Sequence, residues 1–198
     1  MRRLRARFAA LAALAVTALA ATACAPSRPQ TTLPEIGFAQ FGEIPVNVAQ
    51  IDVVNEYVAP MAEPNVEHFA PTTPVNAVRR WVDHRLRRTG TDGRLRVVIL
   101  DGRIEEVSLP RTEGVRGLVA QDQTERYNGR IAVRLEAEKG GNAATYETQV
   151  ERSRTIGEGA TLADREKLMH ELVQRMVEDL NTRLEEGFRS ALSGFSTY

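Results

Sequence analysis

Between Arg126 and Glu138 the chain alternates in a way few folds can use. Ile131, Val133, Leu135 and Ala137 take one parity, while Arg130, Arg134, Glu136 and Glu138 take the other. Successive side chains of a strand point to opposite faces, so this segment predicts a strand with one buried and one wet face. A doubly wound parallel sheet buries both faces and is excluded. What remains is a sheet with helices on one side only.

The neighbouring segments supply the rest of such a sheet. Lys139-Gly140-Gly141-Asn142 turns the chain into a second strand, Ala143 to Ile156, with Tyr146 and Val150 inward, and the pair forms an antiparallel hairpin. Upstream, Ile44 to Tyr57 is β-branched and mostly unbroken, a further strand. Arg94 to Leu109 contains Asp101-Gly102, a hairpin signal. A two-residue turn there would set Val97 opposite Glu106 and Leu95 opposite Ser108, joining core to polar residues. One long strand with a kink or bulge at Gly102 is the better account, with Leu95, Val97, Ile99, Val107 and Leu109 on a shared face.

Two segments have helical spacing. Thr73 is an N-cap with Pro74 in the first helical position, where its missing N–H costs nothing. Val75, Val78, Val82 and Leu86 then share a face bordered by Trp81. Arg85, Arg87 and Arg88 fall in the last turn, where the helix dipole favours them, and Gly90 closes it. By the helical wheel Arg80 and Arg87 face solvent, while Arg79 and Arg85 border the apolar stripe. The second helix starts at a capping box, Thr161-Leu162-Ala163-Asp164, with Asp replacing the usual Glu or Gln. Leu168, Met169, Leu172, Val173, Met176, Leu180 and Leu184 form its apolar face, which Phe188, Leu192 and Phe195 prolong. The order strand, helix, three strands, helix predicts an α+β two-layer sandwich: a four-stranded, mainly antiparallel sheet with two helices on one face.

The first residues concern destination rather than fold. Arg2, Arg3, Arg5 and Arg7 precede an apolar run from Phe8 to Ala21, which small residues connect to Cys24, the sole cysteine. This is an export signal. Its fourteen apolar-run residues span only about 21 Å as a helix, short of a ~30 Å hydrocarbon core. Two cleavages fit. An ordinary signal cut at Ala21-Thr22-Ala23 would release a soluble protein. A lipoprotein-type cut before Cys24 would leave a cysteine that carries acyl chains, palmitate among them, and holds the protein on a membrane. A lone cysteine in an oxidising compartment has no disulfide partner, which favours the second. The domains expected are a signal peptide over 1–23, a lipidated tether over 24–43 rich in Pro, Thr and Gln, and an α+β domain over 44–198. Ile36, Phe38 and Phe41 are the tether residues apolar enough to dock on that domain.

Without its leader the chain keeps 22 of its 26 basic residues against 26 acidic ones. That balance argues against a nucleic-acid partner. Nothing in the sequence marks an active site, a cofactor or a metal centre. His68, His84 and His170 lie far apart, and His170-Glu171 lacks the second histidine of a zinc-protease helix because Gln174 stands there. Gly-x-Ser-x-Gly and phosphate-binding glycine loops are absent from the sequence. Glu105 and Glu106, adjacent on a strand, point to opposite faces and share no proton. The chain therefore reads as non-enzymatic.

Two irregular stretches carry more apolar residues than a solvated loop needs. One runs through Pro60, Pro64, Pro71 and Pro74 and includes Val66, His68 and Phe69. The other, Pro110 to Glu125, includes Val115 and Leu118 and is long for a connection in a compact domain. These five residues are the candidate partner surface. The partners expected are envelope transport or assembly proteins, together with the membrane reached by the lipid anchor.

With Cys24, the strand Ile51-Asp52-Val53-Val54 leading to Tyr57, Arg80-Trp81 with Leu86, and the closing helix, the chain resembles the auxiliary lipoproteins of ABC-type and MCE-type lipid transport systems. The resemblance implies an accessory component of such a complex, anchored in the outer membrane and facing the periplasm. Where those proteins have an aromatic-rich segment after the cysteine, this chain has Pro26-Ser27-Arg28-Pro29-Gln30. The same element order is similar to that of the lipopolysaccharide-assembly lipoprotein that sits inside an outer-membrane barrel. A third alternative is a lipid-carrying module, which needs an acyl-sized cavity between helices and sheet.

Overall fold

The computed structural model describes residues 33–110 and 123–196. Cys24, Val115 and Leu118 lie outside the described residues. Eight elements follow in order: β1 (Ile44–Val46), β2 (Gln50–Asn55), α1 (Pro74–Arg85), β3 (Leu86–Arg88), β4 (Arg94–Ser108), β5 (Gln123–Lys139), β6 (Asn142–Gly157) and α2 (Leu162–Arg189). The main sheet has the order β2-β4-β5-β6, with β2 parallel to β4 and the remaining pairs antiparallel. β1 and β3 form a separate parallel pair. The fold is the expected α+β sandwich.

Both helices lie on one face of that sheet. Gly102 and Ile131 are register partners, as are Ile104 and Gly129. A Cβ on Gly102 would meet Val75 of α1 at 2.8 Å, and one on Gly129 would meet the Met176 sulfur of α2 at 2.6 Å. At these two glycines the helices approach the strands too closely for a Cβ to fit without a shift. Between the layers lie Trp81, Leu95, Ile99, Ile104, Ile131, Leu135, Leu172 and Phe188, all essentially free of solvent. At about 1.5–3 kcal/mol for each fully buried large apolar side chain, this layer contact is the main stabilising term.

Local rules set the helix starts. The Thr73 side chain accepts a hydrogen bond from the Asn76 N–H at 3.2 Å, ahead of Pro74. At α2 the capping box is complete. Asp164 N–H donates to Thr161 Oγ1, and Thr161 N–H donates back to the Asp164 carboxylate at 2.9 Å. The Thr161 hydroxyl, which donates to the Asp164 carboxylate at 2.7 Å, and then the Thr161 N–H hold that carboxyl below the usual carboxylate range.

Three expectations need correction. First, the run from Ile44 to Tyr57 is two strands, because the chain leaves β1 at Asn47 and enters the main sheet at Gln50. Second, the first helix stops at Arg85. Leu86 has extended φ and ψ of −96° and 125°, and Leu86–Arg88 pairs with β1 in place of a last helical turn. The Val78, Val82, Leu86 spacing fits a helix, but the nonlocal pairing with Ile44 prevails. Third, the irregularity in β4 falls between Ile99 and Asp101, so Leu100 is the extra residue. One inserted residue reverses the parity downstream. Gly102 and Ile104 therefore face the core, and Val107 is turned outward at 42 % exposure.

The opposite face of the sheet carries no helix among the described residues. Val98 and Ala132 are buried there beneath a lattice of ion pairs. Arg96 binds Glu136 at 2.6 Å, Arg134 binds Glu136 at 2.8 Å, and Asp101 lies between Arg103 and Arg130 at 2.8 and 3.3 Å. The arginine stems cover the two apolar residues while their charged ends stay wet.

The end of the segment assigned to the tether is packed. Ile36 and Phe38 are 4 % and 1 % exposed, and Phe38 meets the His84 ring edge-on at 6.4 Å. Arg80 pairs with Glu35 at 2.8 Å and donates to the Ile36 carbonyl. Arg85, 1 % exposed, donates to the carbonyls of Phe41 and Gly42, to Asn181 and to the Glu185 carboxylate. Phe41 itself stays half exposed, with the Arg85 guanidinium 5.7 Å from its ring centroid.

Candidate partner-binding surface

The proline-rich segment between β2 and α1 is held against the edge of β4 by its backbone. Val66 N–H donates to the Ile104 carbonyl and Glu106 N–H to the Pro64 carbonyl, both at 2.8 Å. Asn65 and Glu105 form an antiparallel bridge. Pro60, Pro64 and Pro71 keep the segment from becoming a full strand, so it covers only a few residues of that edge.

A buried carboxylate completes the attachment. Glu67 is 3 % exposed. It accepts the Tyr57 O–H at 2.8 Å and the Ile104 N–H at 3.3 Å. Burial, and then the hydrogen bond to this carboxylate, push the Tyr57 phenol well above its ordinary value, so Tyr57 remains a proton donor.

With its backbone and Glu67 turned inward, the segment presents apolar side chains outward. Val58, Met61 and Phe69 are 83 %, 63 % and 64 % exposed. Met61 has φ of 56°, a left-handed conformation that costs a non-glycine residue on the order of 1–2 kcal/mol. Met61, Val66, His68, Phe69, Glu106 and Ser108 line an open groove of about 510 Å³.

The structure therefore divides the three described candidate residues. Phe69 is an exposed apolar face. His68 stacks at 4.0 Å centroid distance on the Phe69 ring, and its Nδ1 is buried without a hydrogen-bond partner among the described residues. Val66 lines the groove but is only 6 % exposed, because strand-like pairing with Ile104 turns it inward. Met61 and Val58 were missed. Their signal was available, since apolar residues flanking Pro60 have no periodic partner to bury them.

His68, Glu106 and Ser108 share the groove, yet no hydrogen bond joins His68 to either of the others among the described residues. His84 lies on the outer side of α1, and His170 is buried in α2 with neither ring nitrogen partnered among the described residues. No cluster of three metal-ligating side chains occurs among the described residues, and no helix there is long and apolar enough to cross a membrane.

No family model and no curated protein matches the chain. Among solved structures it is similar to the rare lipoprotein B of Shewanella oneidensis, at 12 % identity and a TM-score of 0.31, over 69 % of this chain and 97 % of that one. It is also similar to a PelC dodecamer of Paraburkholderia phytofirmans, at 15 % identity and a TM-score of 0.22, over 74 % of this chain and 93 % of that one. Likenesses this distant carry no argument about function.

Proposed function

We propose that the chain is a lipoprotein of the periplasm, anchored in the outer membrane through Cys24, which acts by binding an envelope assembly protein. The observation that carries the reading is the leader, a basic start and short apolar run ending at a sole cysteine. An attached domain with exposed Val58, Met61 and Phe69 beside a groove supplies the contact surface. The preferred partner is an outer-membrane β-barrel. The transport-system reading shares the anchor and the mode of action, and differs in the protein that would be captured.

The reading as a contact protein, with no turnover, rests on how the polar groups are used. Glu67 is engaged by a backbone N–H of β4 and Arg85 by carbonyls of residues 41 and 42, and the ion pairs of the open face neutralise one another. A lipid-carrying role finds little support, because the grooves among the described residues open to solvent and are lined by polar and charged side chains as much as by apolar ones.

Two measurements test this. Mass spectrometry of the mature terminus should find an acylated Cys24, and Cys24→Ser should move the protein from the membrane to the soluble fraction. A free, unmodified thiol would overturn the anchor. Photocrosslinking from position 61 or 69 in intact envelopes should then capture a barrel protein. Capture of a permease or a substrate-binding component would transfer the assignment to a transport system.

A further inference from the structure

The two edges of the main sheet are finished differently. On one side β2 covers Arg94 to Ile99 of β4, the Glu56 and Tyr57 N–H groups reach the Ile99 carbonyl, and residues 64–66 cover Ile104 to Glu106. That edge is broken into short pieces, β2 itself being 6 residues long. On the other side β6 runs for 16 residues, and among the described residues only β5 pairs with it. Asn142 to Gly157 contains no proline and no lysine. Its register with β5 runs without a break from Asn142 to Ile156. Proline, lysine and a bulge, three devices that normally blunt an exposed edge, are missing, and Arg152 and Arg154 are turned to Asp179 and Glu171 of α2. Its glutamates do not serve instead, since Glu147 and Glu151 are drawn back toward Arg134 and Arg130 of β5.

The hairpin fixes which backbone groups are free. Gly140 and Gly141 have φ of 55° and 81°, as a two-residue type I′ turn requires, so Lys139 and Asn142 close it as a hydrogen-bonded pair. Bonding alternates from there. The even-numbered residues of β6 bond to β5, and the odd-numbered ones from Ala143 to Thr155 aim N–H and C=O outward. Their side chains lie on the open face of the sheet, and all are exposed.

We propose that β6 pairs antiparallel with β6 of a second copy, about a two-fold axis through Val150, to make one continuous eight-stranded sheet. The choice of occupant comes from the side chains. Full overlap of the two strands sets Gln149 opposite the partner's Glu151, Glu147 opposite Ser153, Thr145 opposite Thr155 and Tyr146 opposite Arg154. No like charges face each other in that register. Sliding it by two residues one way puts Glu147 against Glu151 twice, and the other way puts Glu151 against Glu151. Like charges directly opposite destabilise a sheet. The same register places odd residues opposite odd ones, so the outward N–H and C=O groups meet as hydrogen-bonded pairs, and Val150 falls at a non-bonded pair on the axis. The pairing uses residues 143–157 alone and does not depend on the lipid anchor.

The test uses the full chain, extracted from membranes in mild detergent. Light scattering should give twice the protomer mass. Gln149→Pro removes one outward N–H and none of the bonds to β5, so it should give the single mass with an unchanged far-ultraviolet circular dichroism spectrum. Ser153→Glu, opposite Glu147, should weaken dimerisation roughly tenfold, and Ser153→Lys should strengthen it by a similar factor. For the register, Thr145→Cys combined with Thr155→Cys should crosslink between copies with a short bis-maleimide. Each single variant should not, because like positions then lie about 33 Å apart. Four results would overturn the proposal: a monomer at high concentration, a dimer that survives Gln149→Pro, equal effects of the two Ser153 substitutions, or crosslinking by the single variants.

Discussion

Two irregular segments are fastened to the sandwich in opposite senses. Residues 33–43 lie along α1 with Ile36 and Phe38 buried, and the Arg85 guanidinium holds the carbonyls of Phe41 and Gly42. Residues 58–70 lie along β4 with Val58, Met61 and Phe69 outward, held by a carboxylate, Glu67, that accepts a backbone N–H. The first fastening uses a cation on carbonyls, the second an anion on an amide. Only the first is reinforced by apolar burial of the segment's large side chains. The contrast separates a segment that stabilises the domain from one that the domain displays.

The largest expected effect comes from the first fastening. Arg85→Ala leaves Glu185 without its buried partner and strips Asn181 and two carbonyls of a donor. Truncating one member of such a buried pair costs about 3–5 kcal/mol. Urea denaturation should show a loss of that order, and limited proteolysis should cut within residues 33–43. A loss below about 1 kcal/mol would mean that apolar burial alone holds the segment. Glu67→Ala comes next. It leaves the Tyr57 hydroxyl and the Ile104 N–H unsatisfied, at about 1–3 kcal/mol. New proteolytic sites should then appear in 58–70 and leave 33–43 protected.

These two residues also mark where the sequence stops being legible. Helix starts follow from local chemistry, and Thr73-Pro74 and Thr161 to Asp164 were readable as such. The strand alternation of Ile131 to Ala137 was readable for the same reason, since it needs only period two. Arg85 was placed at the border of an apolar face, but its partners stand 43 to 100 positions away, and no local pattern encodes them. The bulge at Leu100 was expected two residues later, at the glycine. Sequence offers a residue tolerant of a kink there, whereas strand pairing decides which residue is extra. Of the candidate residues, the exposure of Phe69 could be read because nothing nearby would bury it, whereas the burial of Val66 is set by pairing with Ile104, which no local pattern encodes.

A smaller effect is expected from pH. His170 is buried on α2 with neither nitrogen partnered among the described residues, and desolvation lowers its pKa below the ordinary 6.5, with Glu171 opposing more weakly. The unfolded chain therefore binds this proton more readily than the folded one. The stabilisation is present above the ordinary value and is lost as pH falls through it toward the lower folded value, by at most about 1.4 kcal/mol per pH unit. His170→Phe should flatten the stability profile between about pH 7 and 5. An identical profile in the variant would show that the imidazole finds a partner when protonated.

The smallest effect on stability should come from Phe69→Ala, and it tests the comparison most directly. The ring is 64 % exposed and touches His68, so its removal should change the unfolding free energy by no more than about 0.5 kcal/mol. Phe38→Ala, of the same chemistry in the buried segment, should cost about 3–5 kcal/mol. Partner capture in envelopes should move the other way. Phe69→Ala should reduce it at least tenfold, as expected where an exposed aromatic residue anchors an interface. Phe38→Ala should leave capture by the folded fraction intact. If Phe69→Ala binds normally while Phe38→Ala does not, then the displayed segment is not the contact surface, and residues 33–43 take over that role.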